Sequence, residues 1–121
     1  MSQKLLIKTG CFTFAAFIVF AALGPSHAIP RSGLGFQFDH YVGYFVLTAF
    51  ACAASQCVIR ISGTVICFAL ALEIMQGLTI DRHADFEAAS FSVGGAMTAA
   101  LIADYFIRGR VQKFSRIFAR N

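Results

Sequence analysis

ISGTVICFALALEIMQGLTI, residues 61–80, followed by DRHADFE, residues 81–87, is the stretch on which the fold turns. A helix crossing a bilayer needs about 20 mostly apolar residues, and the first part has that length. Yet it carries Glu73 and Gln76, and the segment after it adds Asp81, Arg82, His83, Asp85 and Glu87. An ionisable side chain inside a spanning helix is costly, faces the protein interior and marks a functional position by default. The stretch therefore predicts a membrane helix ending in a polar cluster at one membrane face.

The rest of the chain agrees with lipid as the solvent. Of 121 residues, 58% are hydrophobic and only 13% charged. A soluble domain carries about 25% charged residues, and this chain has too few to cover a water-facing surface. Three further runs approach spanning length: residues 5–23, with Lys8 free to snorkel, residues 41–58 and residues 86–107. Little more than Arg60 separates the second run from the stretch 61–80, and Ser62 and Gly63 are available for a tight turn closing an antiparallel hairpin. Pro25, Pro30, Gly33 and Gly35 make the first connection irregular. The expected architecture is an all-α membrane protein, one domain over residues 1–121, with four transmembrane helices in an antiparallel bundle.

Charge sets the orientation. Lys4, Lys8, Arg60 and the basic tail (Arg108, Arg110, Lys113, Arg116, Arg120) fall on one side, and the positive-inside rule makes that side cytoplasmic. Both termini are then cytoplasmic, and residues 26–40 and 81–85, with only Arg31 and Arg82 as fixed cations, face out. Residues 108–121 mix Val111, Phe114, Ile117 and Phe118 with the basic residues, which fits a short amphipathic helix on the inner leaflet or a solvated tail. A rival reading of the first run makes it a signal peptide, with Ser26-His27-Ala28 as a small-x-small cleavage site. No nucleic-acid recognition module surrounds the basic residues, so nucleic acid is not an expected partner. Cys11, Cys52, Cys57 and Cys67 lie in apolar runs without C-x-x-C spacing and read as small buried hydrophobes.

Glu73 should lie roughly 10 Å below the helix end at Ile80, at 1.5 Å per residue. Gln76, three residues on, shares its face. Asp85 and Glu87 sit where a helix N-terminus favours negative charge. Across from them Asp39 and His40 open the second run, His40 and Tyr44 face the same way, and Tyr41 suits an interfacial aromatic belt. Three chemistries compete. A metal bound by His40, His83, Glu73 and Asp85 lacks any recognisable ligand spacing, and no metal is expected. Acid–base work by Glu73 is a second reading. Recognition of an anionic head group by Arg82, His40 and Gln76 is the third. A purely structural role, with Glu73 paired to Arg82 or His40, would satisfy the same residues. Gly95, Ala99 and Ala103, next to Gly94, form a small-residue face for helix packing. Asp104 and Arg108, four apart, form an ion pair. No nucleotide fingerprint, Walker loop or haem motif occurs, and no cofactor is expected.

The polar residues follow a known order. Asp39-His40 with Tyr44-Phe45, then Glu73-x-x-Gln76, then Arg82, an acidic residue and Gly94-Gly95 resemble the pattern of the VanZ-like family of small bacterial membrane proteins. The likeness runs from about residue 25 to residue 103. Members often carry a lysine between the aspartate and histidine, which are adjacent here. Ala88 stands where the family acid usually falls, so Asp85 or Glu87 takes that role. The usual asparagine before the glycines is absent, with Ser90 or Ser92 nearby. The resemblance implies a multi-pass protein of the bacterial cytoplasmic membrane, acting at its outer face near cell-wall precursors, lipid carriers or surface glycans. The leading expectation is binding of a lipid-linked envelope head group, with Glu73 and Gln76 orienting it, Arg82 holding negative charge and His40 hydrogen-bonding. One alternative is a non-catalytic accessory subunit of a larger membrane complex, or a homo-oligomer. Another is a small membrane enzyme using Glu73 or His40. Membrane lipids are partners in every case.

Overall fold

The computed structural model describes residues 2–25, 28–29, 31–55, 57–80 and 83–118, the last eight as backbone only. Four helices follow in order: α1 (Gln3–Leu23), α2 (Phe36–Ala54), α3 (Val58–Gln76) and α4 (Phe86–Phe118). By length and composition α1, α3 and the Phe86–Arg110 part of α4 can each cross a membrane. Helix α2 has 19 residues but concentrates Gln37, Asp39, His40 and Tyr41 in its first half, which lowers its apolar character. Ser26, His27, Asp81 and Arg82 lie outside the described residues, and with them the cleavage-site reading and the arginine of the polar cluster.

Local chemistry explains the boundaries. Ser2 caps α1, its hydroxyl accepting the Leu5 N–H at 3.3 Å. Gly24 closes α1 by donating its N–H to the Phe20 carbonyl, and Pro25 prevents continuation. Helix α2 starts after Gly35, whose φ of +108° is open to glycine at little cost. Helix α2 ends at Ala54 and α3 begins at Val58, so the two helices are joined ahead of Arg60, Ser62 and Gly63 and not at them. Ser55 is extended, and its N–H still reaches Ala51 O. Arg60, Ser62 and Gly63 lie inside α3, where the Ser62 hydroxyl donates back to Ile59 O and occupies no turn.

Helix α3 also ends earlier than the apolar run does. Gly77 follows Gln76, and tight i→i+3 bonds, Leu78 N–H to Met75 O and Thr79 N–H to Gln76 O, replace the helical pattern. The Thr79 hydroxyl donates to the same Gln76 carbonyl at 2.7 Å. Glu73 therefore occupies the last turn of α3, not a position two turns below its end. A Cβ at Gly77 would come within 3.0 Å of Ala84 Cβ, so the turn folds tightly onto the start of α4. Helix α4 has 33 residues; at 1.5 Å per residue it is about 50 Å long, beyond the ~30 Å of hydrocarbon. The residues read as a separate basic tail continue this helix to Phe118.

Helices α2 and α3 each contact the other three, whereas α1 and α4 scarcely meet. Gln37 bonds Glu87, His40 bonds Ser92 and Tyr41 bonds Thr98, an ascending order that makes α2 and α4 run the same way. The side chain of Gln76, last in α3, donates to Ala22 O near the end of α1. One end of the molecule thus gathers the last turns of α1 and α3 with the first turns of α2 and α4. Lys4, Lys8, Arg60, Arg108 and Arg110 all sit toward the opposite end. The core between them holds Ile18, Leu47, Val65, Ala69, Leu72 and Ala96. Large apolar side chains such as Phe12 (79% exposed) and Leu101 (68%) point outward, as lipid-facing side chains do.

Candidate functional site

The small-residue face of α4 governs how α2 is held. Ala96 and Ala99 are buried with Ser92, Gly94 is half-buried, and Ala103 is half-exposed farther along. A Cβ on Gly95 would collide with the Tyr41 carbonyl oxygen and lie 3.1 Å from the Phe45 nitrogen, so the two backbones touch. The Tyr41 ring lies against Gly94, and its hydroxyl donates to Thr98 Oγ1 at 2.9 Å. Tyr41 thus faces α4, where the paired glycines leave room for its ring.

The opposite flank of α2 is open. Between α1, the loop before α2, α2 itself and the end of α3 lies a cavity of about 180 Å³. Arg31, Asp39, His40, Tyr44, Glu73 and Gln76 supply its polar groups, and Phe14, Phe17, Ile18 and Leu72 line the rest. Five residues of the expected polar cluster, Asp39, His40, Tyr44, Glu73 and Gln76, are brought together here. Their spacing explains it: 40 and 44 lie one turn apart on α2, and 73 and 76 share a face of α3.

Glu73, Gln76, Asp39 and His40 each have a defined hold. Glu73, 8% exposed, accepts the Asp85 backbone N–H at 2.6 Å with Oε1. This charge-assisted bond clips the end of α3 to the start of α4. Gln76, 6% exposed, donates through Nε2 to Ala22 O at 3.1 Å and ties α3 to α1. Asp39 Oδ2 accepts the Ser32 N–H at 3.4 Å and draws in the preceding loop. His40 Nδ1 lies 3.1 Å from Ser92 Oγ, whose own hydroxyl donates to Ala88 O. The His40 ring also meets Phe36 edge-on at 5.0 Å.

The hydrogen bond shown for Glu73 goes to the Asp85 N–H, while Arg82, one of the two partners expected for it beside His40, lies outside the described residues. A backbone N–H at the open start of α4 has no intrahelical partner and demands an acceptor. Asp85 and Glu87 stand apart from the cavity. Asp85 caps α4, its Oδ1 taking the Glu87 N–H at 2.9 Å. Glu87 takes a bond from Gln37 Nε2 at 3.2 Å on the exposed rim. His40, Glu73, Asp85 and His83 do not assemble into a metal-holding group among the described residues. The Asp104–Arg108 pair forms at 2.7 Å at the far end.

Sequence reasoning did not single out Arg31, Phe14 or Phe17 as cavity residues. Arg31 sits in an irregular loop whose path no periodicity reveals. Phe14 and Phe17 lie in a helix apolar all round, so no polar contrast marks the inward face. The His40–Ser92 bond joins residues 52 apart in sequence. No family model, no curated protein and no solved structure matches this chain.

Proposed function

We propose that this chain is a VanZ-like inner-membrane protein whose cavity binds the head group of a cell-envelope ligand, a lipid-linked cell-wall or surface-glycan precursor. In this reading all four helices cross the bilayer in alternating directions, α2 shielded by its neighbours. The basic end is cytoplasmic by the positive-inside rule, and the cavity opens at the outer face. The observation that carries the reading is the cavity's mixed lining. Arg31, Asp39, His40, Glu73 and Gln76 face the same space as Phe14 and Phe17, a pairing suited to a polar head on an apolar chain. The members of the VanZ-like order that line it, Asp39, His40, Tyr44, Glu73 and Gln76, support the same reading.

Gly43 provides the test. It lines the cavity, and a Cβ there would meet nothing within 4 Å. Gly43→Leu should fill the space while leaving the helix at least as stable, since glycine is a poor helix former. Native mass spectrometry of gently extracted protein should show an envelope lipid on the wild type and its loss from the variant. Identical lipid content in the two would remove the reading.

A second reading is a non-catalytic accessory or assembly subunit of a larger membrane complex. It is favoured by one observation: Glu73 and Gln76 each already bond another element of this chain, at Asp85 N and Ala22 O. Under it, the protein would purify in fixed stoichiometry with a partner, and Gly43→Leu would leave the assembly intact.

A further inference from the structure

Three acceptors and one cation face each other across the cavity without pairing. Arg31 makes no hydrogen bond or ion pair with any described residue, although Asp39 and Glu73 line the same space. Each carboxylate spends one oxygen on a backbone N–H, Asp39 on Ser32 and Glu73 on Asp85. The second oxygen of each has no hydrogen-bond partner among the described residues. Gln76 commits its Nε2 to Ala22 O, which leaves Oε1 as a third acceptor. No buried side-chain nitrogen or oxygen among the described residues lacks a partner, so these three oxygens are reached from open space.

A primary ammonium has three N–H donors and no acceptor. Asp39, Glu73 and Gln76 offer it three oxygens, two of them anionic. Arg31 at the loop offers a planar fork suited to phosphate. Phe14, Phe17 and Leu72 offer an apolar wall. We propose that the cavity takes an amino-phosphate amphiphile, with its primary ammonium held by Asp39, Glu73 and Gln76, its phosphate on Arg31 and its chain along the α1 wall. This deepens the head-group reading above and rests on it. A quaternary ammonium has no N–H to donate, and an amine-free anionic head would face two carboxylates across a single guanidinium. Both are disfavoured. The same chemistry occurs on an ethanolamine phospholipid and on a polyprenyl phosphate carrying an amino sugar.

The full-length protein would be reconstituted into nanodiscs of equal parts phosphatidylethanolamine, phosphatidylcholine and phosphatidylglycerol, and the lipid retained after gentle extraction measured by native mass spectrometry. Phosphatidylethanolamine should be retained roughly tenfold over each of the others, the selectivity of one or two charge-assisted hydrogen bonds. Asp39→Asn and Arg31→Gln should each bring retention toward parity with an unchanged melting temperature. Arg31, having no described partner, keeps the test valid should Asp39→Asn fail to insert. In a second arm, a polyprenyl phosphate bearing an amino sugar is added. Displacement of the phospholipid identifies the lipid-carried sugar as the source, and persistence identifies the phospholipid. Retention of an amine-free lipid that Gly43→Leu abolishes would overturn the ammonium assignment while preserving the head-group reading. Retention indifferent to Gly43→Leu would overturn both.

Discussion

The two flanks of α2 are built on opposite principles. Toward α4, small residues let backbones touch: Gly95 abuts Tyr41, and Ala96 and Ala99 are buried. Toward α1, bulky Phe14 and Phe17 hold the helices apart and leave the polar cavity. Helices in lipid gain little from burying apolar surface against one another, because the lipid is equally apolar. Close approach of small residues therefore supplies cohesion on one flank. A gap is tolerated on the other, where Asp39, His40, Glu73 and Gln76 are each bonded to a neighbouring element. His40 connects the flanks, lining the cavity while bonded to Ser92 of α4.

That contrast can be broken most severely on the packed flank. Gly95→Leu forces a side chain into the Tyr41 backbone, which cannot move aside as a flexible side chain could. It should cost about 3 kcal/mol or more, read as a lowered melting temperature in detergent. Gly63→Ala, at an open helical site, should instead be neutral or stabilising by about 0.5–1 kcal/mol. Equal effects at the two glycines would deny the close approach.

The open flank should respond to chemistry more than to volume. Glu73→Ala strands the Asp85 N–H and should cost about 1–3 kcal/mol. Glu73→Gln keeps an acceptor oxygen and should lose less. Hydrogen exchange at the start of α4 would locate the change. Exchange no faster there in Glu73→Ala would mean that the carboxylate does not clip the two helices. The smallest effect belongs to the basic end. Arg108→Ala breaks an exposed i,i+4 pair with Asp104 and should shift stability by ~0.5 kcal/mol or less.

Much of the fold was readable in the chain. Four apolar runs correspond to four helices, three of them long and apolar enough to cross a membrane. The boundaries moved where a local bond outweighed composition. Ser62 was read as a turn former, but its hydroxyl bonds back into the helix. Gly77 and Thr79 stopped α3 although Leu78 and Ile80 continue the apolar run. In the cavity, residues one turn apart on a single helix were foreseeable from spacing. Arg31 was not, nor was the bond from Glu73 to a backbone nitrogen twelve residues on.

What the sequence determined by itself are properties that sum over many residues. The predominance of apolar groups calls for lipid around the chain, the run lengths set the number of helices, and the basic residues segregate to one end once those helices form. Tertiary structure alone decided which polar groups share the cavity and which serve as caps and clips. Those outcomes depend on single contacts, the approach of Gly95 to the Tyr41 backbone and the tight turn at Gly77, and a hydrogen bond is made or lost over a few tenths of an ångström.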